Sequence, residues 1–80
     1  MPKKRSILVI DDEEIMREVI VRLLEDEGYK VDSVPSGEDG LSTIEEGEFD
    51  LVLLDLMLPG IGGLETLDRI RKTRPYKARG

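Results

Sequence analysis

Phe49-Asp50-Leu51-Val52-Leu53-Leu54-Asp55-Leu56-Met57-Leu58-Pro59-Gly60 is the stretch on which the fold turns. Four apolar residues, Leu51 to Leu54, run unbroken between two aspartates. Such a run, bounded by turn-forming residues, suits a strand covered on both faces, as in a parallel sheet. The strand is predicted over Phe49–Leu54 and ends on Asp55. Leu56 to Gly63 then reads as a loop rich in Pro and Gly. Beyond it, Leu64, Leu67 and Ile70 are spaced for a helix, which Pro75 should stop.

Toward the N-terminus the pattern repeats. Ser6-Ile7-Leu8-Val9-Ile10 is another continuous apolar strand signal, followed at once by Asp11, Asp12, Glu13 and Glu14. Ile15, Met16, Val19, Ile20, Leu23 and Leu24 recur at helical spacing, so a helix with one apolar face is predicted from about residue 13 to 27. The acids fall at its start, where the helix dipole favours them. Gly28 is a natural terminator. Tyr29 to Val34 reads as a short second strand. Ser36, with Asp39 three residues on, resembles a helix start, although Asp stands where Glu or Gln is usual. Leu41 and Ile44 continue a weak, acidic helix that stops near Gly47. The order is β-α-β-α-β-α, an α/β pattern that implies a parallel sheet with right-handed crossovers. In open sheets of this kind, ligands bind outside the carboxyl ends of the strands. If the first and third strands are neighbours, Asp11, Asp12 and Asp55 meet at that edge.

Composition narrows the chemistry. The chain has 80 residues, enough for one domain with a lean core. It has no Cys and no His, which excludes disulfides, a Cys/His zinc site and catalysis through either side chain. No apolar run approaches a membrane span, and Met1-Pro2-Lys3-Lys4-Arg5 carries no apolar signal region, so a cytoplasmic protein is expected. The net charge of −6 is unevenly spread. Residues 6–68 carry all 18 acids against Arg17, Arg22 and Lys30, while residues 69–80 carry six basic groups and no acid. A body that acidic should repel DNA and anionic lipid and attract a divalent cation where carboxylates converge. The basic groups read as a solvated helix end and a basic, disordered tail over 76–80.

Three carboxylates held close together repel one another, and a divalent cation removes the conflict. Mg2+ suits them better than zinc, because every ligand on offer is a hard oxygen. An Asp beside the cation is placed to act as nucleophile toward a phosphoryl group. Taken singly, Asp11 and Asp12 equally suit a helix cap, and Asp55 an ordinary strand end before a turn. The combination is more telling: an Asp pair after the first strand, an Asp after the third, and Pro59 four residues beyond it.

Those residues bring out a resemblance. ILVIDDEE (7–14), SGEDGL (36–41), FDLVLLDLMLPGIGGLE (49–65) and IRKTRP (70–75) resemble the receiver domain of two-component response regulators. The resemblance implies a flavodoxin-like fold, of which residues 1–75 would supply a C-terminally truncated βαβαβα part with strand order 2-1-3. It implies that Asp55 accepts phosphate from a histidine kinase. Asp12 would ligate Mg2+ directly, Asp11 mostly through water, and the Met57 backbone carbonyl would complete the set with Asp55. Pro59 and Gly63 would shape the loop after the acceptor. The family often has Asp where this chain has Gly62, a departure expected to loosen that loop. The family's Ser or Thr on strand 4, and its Lys and aromatic residue on strand 5, have no counterpart here. Thr66, Thr73, Lys72 and Lys77 lie in the helix or tail and do not take those roles.

Other phosphate chemistries fit less well. Haloacid-dehalogenase-type phosphatases need a second Asp two residues after the nucleophile, where this chain has Met57. The glycines after the third strand match neither G-x-G-x-x-G, since position 65 is Glu, nor a P-loop. The alternative within the same family is a non-signalling fragment. Its third strand would be an exposed apolar edge, and such edges invite pairing with another chain. A homo-oligomer, completed by dimerisation or strand exchange, is expected on that ground.

Overall fold

The computed structural model describes residues 4–73, with the backbone alone at residue 73. The predicted stop at Pro75 and the tail over 76–80 lie outside the described residues. The elements run β1 (Ser6–Ile10), α1 (Glu14–Asp26), β2 (Lys30–Val34), α2 (Gly37–Glu46), β3 (Leu51–Leu54) and α3 (Gly62–Thr73). The three strands form one parallel sheet, as the alternation of strand and helix signals predicts, in the order β2-β1-β3 that the receiver-domain resemblance implies. Register runs from Ser6 opposite Lys30 to Ile10 opposite Val34 on one side. On the other it runs from Ile7 opposite Leu51 to Ile10 opposite Leu54. The central place falls to β1, where Ile7 through Ile10 are all buried. The half-polar β2 takes one edge and β3 the other.

Side chains on a strand alternate between faces. Leu8 and Ile10 therefore share one face. They pack with Ile44 of α2, Ile70 of α3 and Leu58 of the loop after β3. Val34, Leu41, Phe49, Val52 and Leu54 close around this core. Ile7 and Val9 point to the opposite face, where α1 packs on β1 and β2. That helix is amphipathic as its spacing predicts, but none of its residues is fully buried. Ile20, Val21 and Leu24 are half-buried, while Ile15 and Leu23 remain 77% and 61% exposed. Leu51 and Leu53, on the same side of the sheet, are likewise exposed.

Helix and strand ends refine the predicted boundaries. The Ser36 hydroxyl accepts from the Asp39 N–H at 3.1 Å, so α2 starts as its sequence suggests. The N-cap of α1 is Glu13, whose side chain makes no cap, and neither Asp11 nor Asp12 occupies that position. The third strand begins at Leu51, because Asp50 is used to anchor the sheet. Its carboxylate accepts from the Ser6 N–H at 2.7 Å, and its own N–H donates to the Ser6 carbonyl at 2.8 Å. Helix α3 begins at Gly62, inside the predicted loop. Gly62 has φ +78°, a left-handed value that side chains avoid. Glycine here permits the sharp entry into α3.

Candidate functional site

The pairing of β1 with both neighbours continues one residue past each strand. The Asp11 N–H donates to the Val34 carbonyl at 3.2 Å, and the Asp55 N–H donates to the Ile10 carbonyl at 3.0 Å. These two bonds deliver Asp11 and Asp55 to the same carboxyl edge of the sheet. There Asp11, Asp12 and Asp55 each offer a carboxylate oxygen, and the three atoms lie within 4.8 Å of one another. Asp11 and Asp55 are half-buried and Asp12 is exposed.

Local bonds hold two of the three carboxylates. One Asp11 oxygen accepts from the Glu13 N–H at 2.9 Å. One Asp55 oxygen accepts from the Met57 N–H at 2.9 Å. Each is a turn in which an Asp side chain bonds the backbone two residues on, and each leaves the second oxygen outside that bond. The Met57 bond folds the backbone after Asp55 back onto its carboxylate, while the Met57 side chain is exposed. Backbone around residue 11 is tied further by Arg17, whose guanidinium donates to the Asp11 carbonyl at 2.7 Å.

The segment after Asp55 is pinned from below. Leu58 is buried in the core, and Pro59 is exposed at the turn that follows. Gly63, in the first turn of α3, lies directly against the backbone of Asp55 and Leu56. A side chain there would meet the Asp55 carbonyl oxygen at 2.6 Å and the Leu56 carbonyl carbon at 2.8 Å. Thr66 is fully buried, and its hydroxyl donates to the Gly62 carbonyl at 2.6 Å, a bond inside α3.

The donor chemistry fits Mg2+. Three carboxylate oxygens converge, all hard, and no Cys or His is present to favour a softer ion. Like charges that close repel, so a doubly charged cation among them relieves the cluster. Two features are not among the residues that the sequence marked out. Arg17 stands six positions past Asp11, and in the sequence it is only one of three cations in an acidic body. Gly62 stands out in the sequence only as a departure from a family pattern, and its left-handed backbone is visible only in the fold.

Comparison with known proteins agrees with this geometry. The family model described as "Response regulator receiver domain" matches residues 7–78. The uncharacterized transcriptional regulatory protein YkoG of Bacillus subtilis (strain 168) is 49% identical over 71 residues, covering 89% of this chain and 31% of that protein. A crystal structure of response regulator protein TrrA from Thermotoga maritima, in complex with Mg(2+)-BeF, has a TM-score of 0.85 at 44% identity. It covers 89% of this chain and 62% of that one. TrrA in complex with the histidine kinase ThkA also gives a TM-score of 0.85, at 43% identity, covering 90% and 62%. The chain thus spans about a third of the curated relative and less than two thirds of the solved ones. Among the described residues no helix is long and apolar enough to cross a membrane. The family match spans residues 7–78, most of the sequence, and on that ground the chain belongs to the response regulator receiver domains.

Proposed function

We propose that this chain is the phosphoacceptor module of a two-component response regulator, with Asp55 taking a phosphoryl group from a histidine kinase. The observation that carries this reading is the convergence of Asp11 and Asp12 on Asp55 at the carboxyl edge of the sheet. The Met57 N–H holds one Asp55 oxygen. The other attacks phosphorus, forming the new P–O bond as the P–N bond of the phosphohistidine breaks. The departing imidazole nitrogen keeps the electron pair and takes a proton from water. Asp11, Asp12, Asp55 and the Met57 backbone carbonyl would hold Mg2+, Asp12 directly and Asp11 mostly through water. When bound, the ion supplies positive charge against the phosphoryl oxygens. Pro59 and Gly63 shape the loop that keeps Asp55 in place. The solved relative bound to Mg(2+)-BeF and the one bound to ThkA support the cofactor and the partner. The acidic body speaks against direct contact with DNA, although curated relatives are named as transcriptional regulators. A cytoplasmic setting accompanies the reading.

Acetyl phosphate tests it. With Mg2+ present, the intact chain should gain the mass of one phosphoryl group, and Asp55→Asn should gain none. An unchanged mass for the unsubstituted chain overturns the reading.

A second reading concerns the 80-residue polypeptide as a molecule in solution. In the described sheet β3 is an edge, with Leu51 50% and Leu53 36% exposed. We propose that two copies pair through this strand, which would give the apolar β3 a neighbour on each side. Sedimentation should show a dimer that dissociates on dilution. A monomer across the whole concentration range would refute the pairing.

A further inference from the structure

We propose that Arg17 is a positioning residue for the divalent cation: its guanidinium, clasped on the Asp11 carbonyl, sets the peptide that carries Asp12. The inference rests on the cation site proposed above and assigns it a residue from outside the carboxylate cluster.

Arg17 sits in the first turns of α1, facing β2 across a groove lined by Glu14, Glu18, Val21 and Ser33. Two glutamates of its own helix flank it. Yet among the described residues Arg17 forms no ion pair with either, and reaches back six residues to the Asp11 carbonyl at 2.7 Å. Such a bond is charge-assisted and short, and it is part-buried. Immobilising a long Arg side chain costs rotamer entropy, so a fixed clasp here must return more than that cost.

Asp12 shows what the clasp returns. It is exposed, and among the described residues its carboxylate has no hydrogen bond of its own, unlike those of Asp11 and Asp55. No bond to the side chain orients it, so what the fold controls is the backbone from which it leaves. The peptide between residues 11 and 12 carries the carbonyl that Arg17 grips, so that bond fixes the Asp11 ψ angle and the direction in which Asp12 leaves the strand. The Asp11 N–H on Val34 holds the preceding peptide, and the Glu13 N–H on the Asp11 side chain holds the following one. Arg17 supplies the anchor between them. Groups that orient metal ligands from outside the first shell commonly affect metal affinity by an order of magnitude or more.

The alternative is that the clasp only steadies the start of α1. Urea unfolding with and without Mg2+ separates the two. A bound ligand adds stability that depends only on its concentration and Kd. A merely structural clasp lowers stability equally in both conditions, leaving the Mg2+ increment unchanged. A positioning role shrinks the increment. Calorimetric titration should show Mg2+ binding to Arg17→Gln weakened by about tenfold. Arg17→Lys, which keeps the charge but lacks the planar fork, should recover part of the loss. Hydrogen exchange at the Asp12 and Glu13 amides should be faster in the metal-free variants. Arg22→Gln, on the exposed side of α1, should bind as the unsubstituted chain does. Equal Mg2+ increments and affinities for Arg17→Gln and the unsubstituted chain overturn the inference alone. Absence of Mg2+ binding by the unsubstituted chain overturns the cation site and the inference with it. Should Arg17→Gln fail to fold, Arg17→Lys decides by the same two measurements.

Discussion

Gly63→Val should cost this chain about 3 kcal/mol of folding stability, the upper part of the range for overpacking a filled site. The obstruction is backbone, which has little room to yield. The first side-chain atom would lie 2.6 Å from the Asp55 carbonyl oxygen and 2.8 Å from the Leu56 carbonyl carbon, with the Leu56 Cα nearer still. Alanine meets the same wall but regains up to ~1 kcal/mol of helix propensity, because Gly63 lies within α3. Gly63→Ala should therefore lose less than Gly63→Val. Either substitution separates α3 from the segment after β3 or shifts the Asp55–Leu56 backbone. The fraction that folds should accordingly take up phosphate more slowly than its folded population predicts. Urea midpoints and phosphorylation rates measured on the same samples check this. A Gly63→Val chain with an unchanged midpoint would show that α3 moves aside without penalty.

Leu8→Ala should cost a similar amount, about 3 kcal/mol, by the opposite route. Leu8 is fully buried on the central strand, among Ile10, Ile44, Leu58 and Ile70. Truncation forfeits its transfer energy and leaves a cavity, together typically 2–5 kcal/mol, or roughly 3 for an average site. Domains of this length hold only about 4–12 kcal/mol in total, taking roughly 0.05–0.15 kcal/mol per residue. One methyl-rich side chain thus accounts for a large share. The paired control is Leu23→Ala, an equal truncation at a site 61% exposed on α1. Its expected effect stays within about 0.5 kcal/mol. Denaturant curves for the two variants should differ in midpoint at a common slope. If both truncations cost the same, the core does not lie where Leu8 and Ile44 place it.

Much of the site is legible because period and punctuation agree along the chain. Unbroken apolar runs at Ile7–Ile10 and Leu51–Leu54 mark strands, and each is followed at once by an aspartate. The alternation of strand and helix then makes the strands parallel, which brings their carboxyl ends to one edge. What escaped the sequence depends on facts that periodicity does not carry. The apolar stripe of α1 marks an amphipathic helix, but not that Ile15 and Leu23 stay exposed. That outcome depends on what the sheet offers opposite them. Asp50 looks like part of a strand, and only its bonds to Ser6 reveal an anchor. Gly63 reads as a loop residue, while its tight seat against Asp55 and Leu56 needs the position of α3. Arg17 is a single charge on a helix, and its bond to Asp11 requires the exact path of the turn between β1 and α1.

The anchor between Ser6 and Asp50 spans 44 residues of sequence, and it opens the same parallel pairing that ends with Asp55 on Ile10. The acidic cluster is therefore not a local property of any stretch of chain. A synthetic peptide covering residues 6–17 would carry the Asp pair, and one covering residues 49–60 would carry Asp55, but neither would hold the pocket. Closing so long a loop costs entropy before any contact repays it. The pocket exists only where β3 is paired with β1, so an ion meeting the unpaired strands finds only scattered carboxylates. A cation held by a site that bridges both strands would oppose their separation, so its binding and the β1–β3 pairing would strengthen one another.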